Sequence, residues 1–397
     1  MTTAECVTPT ATASTSDWPH SRRSTTLTIS STATRTSCPP MLLGGRSDVH
    51  VGPAPDDPPE WNAVASQQLP LPLFETHFAL GRARAVMAAT RLGVFESLGR
   101  GAATVIEVAD WCRTEATATQ QLLLALAGSG YLLYREGRFA LTPSARTWLL
   151  ADSPSSIVDV VLFAYDEWEL MAHVEDYVRT GIPLELHQTM TGTQWAQYLR
   201  SMRALARLTA YEVAEVLPIP DGATDMIDVG DSRGHYSVAL CRRYPRLRSL
   251  VLGTPKVGGS VALHTDDDVV DRIVHLEADA LLHDFGIGRC DLVLLCDLGR
   301  HFSATENAQL FRRLGRTLRP RGVFAVIEPA QPEKGHHTSQ FAALNELYFG
   351  TLSHCPTRTP SDTAGLLRDA GLQPAARPIT LSGGEVAVHI ATKGSAR

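Results

Sequence analysis

Apolar positions divide the chain into stretches of different rhythm. Between positions 73 and 98, Phe74, Phe78, Val86, Leu92, Val94 and Leu98 recur near the helical period, and Gly93 interrupts them. The helical rhythm returns over 104–109 and 119–127, and two short apolar runs, 130–134 and 138–143, then flank Glu136-Gly137 as the arms of a hairpin. Three short helices followed by a hairpin describe a winged helix. Positions 151–215 read as helices rich in large side chains; Trp168, Met171, Tyr177, Trp195, Tyr198 and Met202 are expected to be mostly core, and they are also the material of an aromatic pocket. From Thr224 short apolar strands (225–229, 249–252, 273–277, 292–296, 323–328) alternate with helices at about 235–244, 258–264 and 304–318. That alternation predicts an α/β fold with a doubly wound parallel sheet, its ligands lying beyond the carboxyl ends of the strands.

The first sixty residues lack this patterning. They form a Ser/Thr/Pro-rich tail, with 12 Thr and 7 Ser in the first forty positions and a Pro-rich stretch at 51–59. So little apolar surface cannot offset the entropy of ordering, so disorder is expected, or translation beginning at Met41 instead of Met1. The remaining boundaries fall at 61–150 for the winged-helix unit, 151–215 for a helical linker that lines the pocket, and 216–397 for the doubly wound domain.

Charge and cysteine usage narrow the partners. Lys plus Arg number 36 against 42 Asp plus Glu, a net charge of −6, and the candidate recognition helix at 119–128 carries no Lys or Arg. Phosphate contacts are therefore not its purpose, and nucleic acid is excluded as the expected partner. The Leu and Ala content of that helix suits burial against a second copy, which predicts a homodimer. No apolar run is long enough to span a bilayer, so no membrane partner is expected. Seven scattered cysteines (Cys6, Cys38, Cys112, Cys241, Cys290, Cys296, Cys355) contain no C-x-x-C pair, which fits reduced thiols used for packing in the cytoplasm. No metal site is expected, and His336-His337 reads as part of a loop lid.

Chemistry concentrates where strand 225–229 runs into Gly230 and Gly234 and then a helix. The glycines permit a tight turn with close backbone approach to a ligand, and the helix start offers free N–H donors. Further segments follow in a fixed order: 229–255, Ala278-Asp279-Ala280, 299–302, Leu318-Arg319-Pro320-Arg321-Gly322 at a helix end, strand 323–328, and Arg358-Thr359-Pro360-Ser361-Asp362 with Ala370-Gly371-Leu372. Together with the winged-helix front end, the chain resembles the S-adenosylmethionine (SAM)-dependent small-molecule O-methyltransferases of the bacterial polyketide and plant phenolic type, over about residues 70–395.

The resemblance implies a Rossmann-like methyltransferase domain, an N-terminal winged-helix dimerisation domain and a substrate pocket between them. It also implies SAM as cofactor and methylation of a hydroxyl on an aromatic, polyketide-like molecule of secondary metabolism, as in antibiotic biosynthesis. Carried over position by position, it assigns cofactor contacts to Asp228, Gly230, Gly234, Gly253 and Asp279, and the catalytic region to Arg300, His301, Glu328 and Asp362.

Several of these positions depart from the family pattern. Asp231 and Ser232 replace the two middle glycines of the loop, so a carboxylate stands where the cofactor's own carboxylate approaches. Gly253 replaces the acid that accepts hydrogen bonds from the ribose diol, a loss of about 1.5–3 kcal/mol, or about 10- to 150-fold in affinity. Arg300 replaces the catalytic His and cannot accept a proton, while His301 is displaced by one position. Two expectations follow. One is SAM-dependent O-methylation driven by alignment of nucleophile and methyl carbon. The other is a SAM-independent relative catalysing an addition, condensation or rearrangement, with Arg300 steadying an oxyanion and His301 or Glu328 shuttling protons.

Overall fold

The computed structural model describes residues 71–395 apart from 231–233, 254–267, 334–338, 354–357 and 385, and leaves out the side chains of 71–75, 187–188 and Arg300. The expected tail at 1–60, the helix at 258–264, Asp231-Ser232 and His336-His337 lie outside the described residues.

The front end opens with α1 (Leu71–Leu92) and α2 (Val94–Gly99), which part at Gly93 with φ of 78°, a left-handed conformation open to glycine at little cost. Next come α3 (Val105–Cys112) and α4 (Ala116–Gly128), then β1 (Leu132–Arg135) and β2 (Arg138–Leu141). The hairpin turns at Glu136-Gly137, both at positive φ (50° and 77°), which matches the twist of a tight antiparallel pair. The helix–hairpin order is the expected one, and Phe95, Leu123, Leu126 and Phe139 form its buried centre.

Five helices lead to the sheet: α5 (Pro143–Trp148), α6 (Val158–Met171), α7 (Val174–Thr180), α8 (Leu186–Thr189) and the long α9 (Gly192–Val216). Thr191 and Gln194 close a capping box at the start of α9, so the N–H groups of these two residues are satisfied without tertiary help. Of the large side chains in this region, Trp195 and Tyr198 pack with Phe163 between α6 and α9, whereas Trp168 and Met171 stay more than a third exposed.

The sheet region runs β3 (Asp225–Gly230), α10 (His235–Arg243), β4 (Arg248–Gly253), β5 (Ile273–Glu277), β6 (Cys290–Cys296), α11 (Ala304–Thr317), β7 (Leu318–Pro329), α12 (Gln340–Leu352), α13 (Pro360–Asp369), β8 (Leu372–Pro374), β9 (Ile379–Thr380) and β10 (Val386–Lys393). Its order is β5-β4-β3-β6-β7-β10-β8, with β9 against β10. The first five strands are parallel, as the alternation predicts.

The sheet continues past the five expected strands: β10, which the sequence reading does not mark, inserts antiparallel between β7 and β8. Its run Val386–Lys393 lies beyond the last strand–helix alternation, so no crossover helix marked it. The helix expected to end at 318–322 stops at Thr317, because Leu318 already pairs with Cys290 in the sheet and Arg321 takes a positive φ at the irregularity that follows.

Both faces of the parallel strands are covered, so these strands read as continuous apolar runs. On one face Leu292, Leu294, Ala325 and Ile327 pack on α9 and α10; on the other Val293, Leu295, Phe324 and Val326 pack on α11 and α13.

Strand order reverses between β3 and β6, and Gly230 pairs with Cys296 at their carboxyl ends. A Cβ on Gly230 would stand 2.1 Å from the Cys296 carbonyl oxygen, and φ there is +153°. Only glycine fits, and the crevice at this switch point is where ligands of such sheets bind. Gly230→Ala is therefore expected to lower stability by at least about 1–3 kcal/mol, read as a lower thermal midpoint in calorimetry. An unchanged midpoint would contradict the close approach.

Candidate functional site

Asp228, two residues before the turn, has no exposed surface. One carboxylate oxygen accepts from the Ser237 hydroxyl at 2.7 Å and the other from the Cys296 thiol at 3.8 Å, while the Ser237 hydroxyl also meets that of Ser249 at 2.7 Å. Burial raises its pKa to about 6, against the lowering effect of these hydrogen bonds. Asp228 thus ties β3 to α10 and β6. Gly234 precedes α10 with φ of 88° and makes no side-chain cap, so the first N–H groups of the helix lack intrahelical partners.

At the neighbouring tip, Gly253 ends β4, and among the described residues no atom lies within 4 Å of where a Cβ would lie. Its partner in the parallel register is Glu277, the last residue of β5, and Ala278 N–H donates to the Gly253 carbonyl at 3.1 Å. Paired residues of adjacent strands point to the same face, so an exposed carboxylate stands one strand away from the missing one. Asp279 is exposed and its Oδ1 accepts from Leu281 N–H at 2.8 Å, which fixes the loop after β5.

A cavity of about 300 Å³ opens beside the switch point. Its wall is largely apolar and carries six aromatic side chains: Phe163 from α6, Tyr198 from α9, Tyr236 from α10, and Phe341, Tyr348 and Phe349 from α12. Polar groups are few and separated. They include Asp297 and His301 after β6, and Glu167, which accepts from the Tyr348 hydroxyl at 2.8 Å. Burial pushes the Glu167 carboxyl above its ordinary value. The volume and this lining suit a small, largely apolar molecule with a few hydrogen-bonding groups.

His301 lies on that wall, at the end of the 3₁₀ turn Gly299–His301, while the Arg300 side chain is outside the described residues. Glu328 and Asp362 do not join it there. Glu328 faces a separate recess of about 30 Å³, where Arg358 holds one oxygen at 2.6 Å, the Thr363 hydroxyl donates to the other at 2.8 Å, and His389 sits 3.2 Å away. Burial lowers the His389 pKa, which favours its neutral form. The Glu328 carboxylate therefore clamps α13 and β10 onto β7. Asp362 closes the capping box of α13, accepting from the Thr359 N–H at 3.1 Å and hydroxyl at 2.8 Å.

Sequence reasoning missed three features. Asp297 takes φ of 53°, unusual for a residue other than glycine, and it lines both the cavity and the recess. Its place immediately after the apolar run of β6 was the available signal. The Glu167–Tyr348 pair joins α6 to α12 across 181 positions and left no local trace. The third is a basic group at α10. Arg203 Nε donates to His235 Nε2 at 3.0 Å, and Arg207 donates to the Ser156 carbonyl at 2.8 Å. Burial first, then the charges of Arg203 and Arg207, push the His235 pKa down to about 4.

The four described cysteines are free thiols. Burial raises Cys290 to about 12 and Cys296 well above the ordinary thiol value, which favours the protonated thiol in both. Among the described residues no helix is long and apolar enough to cross a membrane.

Two outcomes test this geometry. His235 is neutral in the fold and has an ordinary pKa when unfolded, so its contribution is complete above about pH 6.5 and is lost as pH falls toward 4. His235→Gln should therefore lose less stability between pH 7 and pH 5 than the parent, by on the order of 1 kcal/mol, in paired thermal melts. Glu328→Ala strands Arg358 in a buried site and should lower stability by about 3–5 kcal/mol in urea titrations, with Glu328→Gln milder.

Comparison with known proteins agrees with this architecture. The O-methyltransferase domain profile matches residues 172–373. The Streptomyces lavendulae mitomycin biosynthesis 6-O-methyltransferase is 26% identical over 310 residues, which span 74% of this chain and 86% of that protein. The Aspergillus oryzae O-methyltransferase aoiF is 27% identical over 167 residues, 40% of this chain and 39% of its own length. The crystal structure of human N-acetylserotonin methyltransferase in complex with SAM superposes with a TM-score of 0.70 at 19% identity, covering 86% of this chain and all of that one. With the profile covering half of the chain, and the sheet, glycine turn and flanking cavity in place, the chain belongs to the O-methyltransferase family.

Proposed function

We propose that the chain transfers a methyl group from SAM to a hydroxyl of an aromatic, polyketide-like small molecule of secondary metabolism. The observation that carries this reading is the meeting of two features at one point. Gly230 forms a turn that tolerates no side chain, and Tyr236, in the helix that follows, lines an aromatic-walled cavity of about 300 Å³. The residues fit the cofactor. The backbone at Gly230 can approach a ligand closely, the start of α10 offers N–H donors, no described atom crowds Gly253, and Glu277 stands in register beside it. Asp279 completes the row of acids along the strand ends. Bound there, SAM supplies a sulfonium-activated methyl group.

The chain's own residues do the rest. The aromatic wall holds the acceptor ring and excludes water, and the Glu167–Tyr348 pair fixes one end of it. His301, on the cavity wall, takes the proton leaving the hydroxyl as its oxygen gains the methyl, and Asp297 supports it electrostatically. Arg300 neighbours this group, and Glu328 and Asp362 serve it by holding α13 in place. The N-terminal helices, with Phe78, Leu80 and Trp111 exposed, form the homodimer contact in this reading, and the cysteine pattern supports a cytoplasmic setting.

Titration calorimetry with S-adenosylhomocysteine tests the cofactor assignment. Binding in the micromolar range is expected, and no heat at millimolar ligand would turn the reading to SAM-independent chemistry. Gly253→Asp should tighten binding by about tenfold or more, whereas Glu277→Gln should weaken it, because the diol would lose its remaining charged acceptor. Unchanged affinity in both variants would show that the ribose is not held at these tips. Transfer of labelled methyl to a panel of phenols, about 10²-fold slower in His301→Ala, tests the acceptor side.

A further inference from the structure

Glu167 is a carboxylate set into an aromatic wall. It stands on α6 one turn after Phe163, and both line the cavity together with Phe341, Tyr348 and Phe349 of α12. Its Oε1 accepts from the Tyr348 hydroxyl at 2.8 Å, and among the described residues nothing donates to Oε2. No Lys or Arg side chain among the described residues lines this cavity or pairs with Glu167. Burial works against its charge, and the neighbouring charge that reaches it, that of Asp166, has the same sign. A carboxylate so placed, with one oxygen unmatched, is costly unless a ligand completes it.

The second acid of the cavity serves a different part of it. The charge of Asp297 reaches Tyr236, beside the switch point where the donor is placed. Glu167 comes from α6 instead of the sheet, and Asp166, not Asp297, is the acid whose charge reaches it. Asp297 thus stands on the donor's side and Glu167 on the acceptor's. A cation suits Glu167 on two grounds. A charge-assisted hydrogen bond to the open oxygen is stronger than a neutral one, and the faces of aromatic rings attract positive charge. An anionic group there would meet two carboxylates and no compensating side chain among those described.

We propose that Glu167 is the seat of a protonated amine on the acceptor, so that the hydroxyl to be methylated belongs to a molecule that also carries a basic nitrogen. This rests on the methyltransferase reading above and names the class of its acceptor. Glu167 is then a specificity-determining residue, and Tyr348 a positioning residue that holds Oε1 and leaves Oε2 for the ligand. The amine is anchored on α6, the hydroxyl is presented to His301 after β6, and the aromatic wall holds the ring between them.

Calorimetry on the full chain near pH 7 tests the seat with three phenols that differ only at the end of a short side chain. Tyramine carries an ammonium there, 4-(2-hydroxyethyl)phenol a hydroxyl and 4-propylphenol a methyl group. The parent should bind tyramine at least about tenfold more tightly than 4-propylphenol, with the hydroxyethyl compound between them. Glu167→Gln should bring tyramine and 4-propylphenol to within about twofold of each other, and Tyr348→Phe should lower the preference partway. Asp166 accepts from Gln194 Nε2 at 3.2 Å and does not line the cavity, so Asp166→Asn should keep the preference. Each variant is read as a ratio of two ligands, so a general weakening of the fold does not mimic the result. A parent without a tyramine preference, a preference that survives Glu167→Gln, or an equal loss in Asp166→Asn overturns the seat. So does equal binding of the ammonium and hydroxyl compounds, or binding of none of the three. In each case the S-adenosylhomocysteine titration still decides the methyltransferase reading by itself. A Glu167-dependent tyramine preference in a protein that binds no S-adenosylhomocysteine would sustain the amine seat and sink methyl transfer.

Discussion

The near-contact between the ends of β3 and β6 is the constraint on which the rest of the site depends. With Gly230 packed against the Cys296 carbonyl, no side chain can stand at the carboxyl end of β3. Asp228 holds the ends of β3, α10 and β6 together, at the expense of its own hydration, through Ser237 on α10 and Cys296 on β6. Because α10 is held at its base, the directions of His235 and Tyr236 are set. One reaches the basic group on α9 and the other the aromatic cavity.

Polar side chains in this protein separate into those that brace and those that face a cavity. Asp228, Glu328 and Asp362 brace: the first is sealed under the turn, the second clamps α13 and β10, and the third caps a helix. Their chemistry is consumed by hydrogen bonds made within the fold. Asp297, His301 and Glu167 face the large cavity from three separate positions in sequence. A carboxylate at the end of a strand can belong to either group, and the residues opposite decide which. Glu328 meets Arg358, whereas Glu277 stands exposed at an open tip.

Periodicity made much of the fold legible. The five parallel strands, the break at Gly93 and the hairpin at Glu136-Gly137 all follow from local pattern, because each is fixed by apolar alternation or by a residue that tolerates positive φ. Strand β10 escaped because it pairs antiparallel without a crossover helix to announce it. Within the site, the glycine turn was legible from its two glycines. The partners of Glu328 were not, since Arg358, Thr363 and His389 reach it from 30, 35 and 61 positions away, as the numbering gives. The arginines of α9 were hidden for a related reason. Their spacing looks like a solvated helix face until α10 is seen against it.

The order in which the strands are made has a consequence for biogenesis. Strand β10 follows every other strand in sequence, yet its place is inside the sheet, between β7 and β8. Until synthesis has passed Lys393, the edge of β7 is unpaired and Glu328 lacks His389 above it. The nascent protein therefore carries an open, apolar seam at the edge of β7, and the last of the described strands to emerge is the one that closes it.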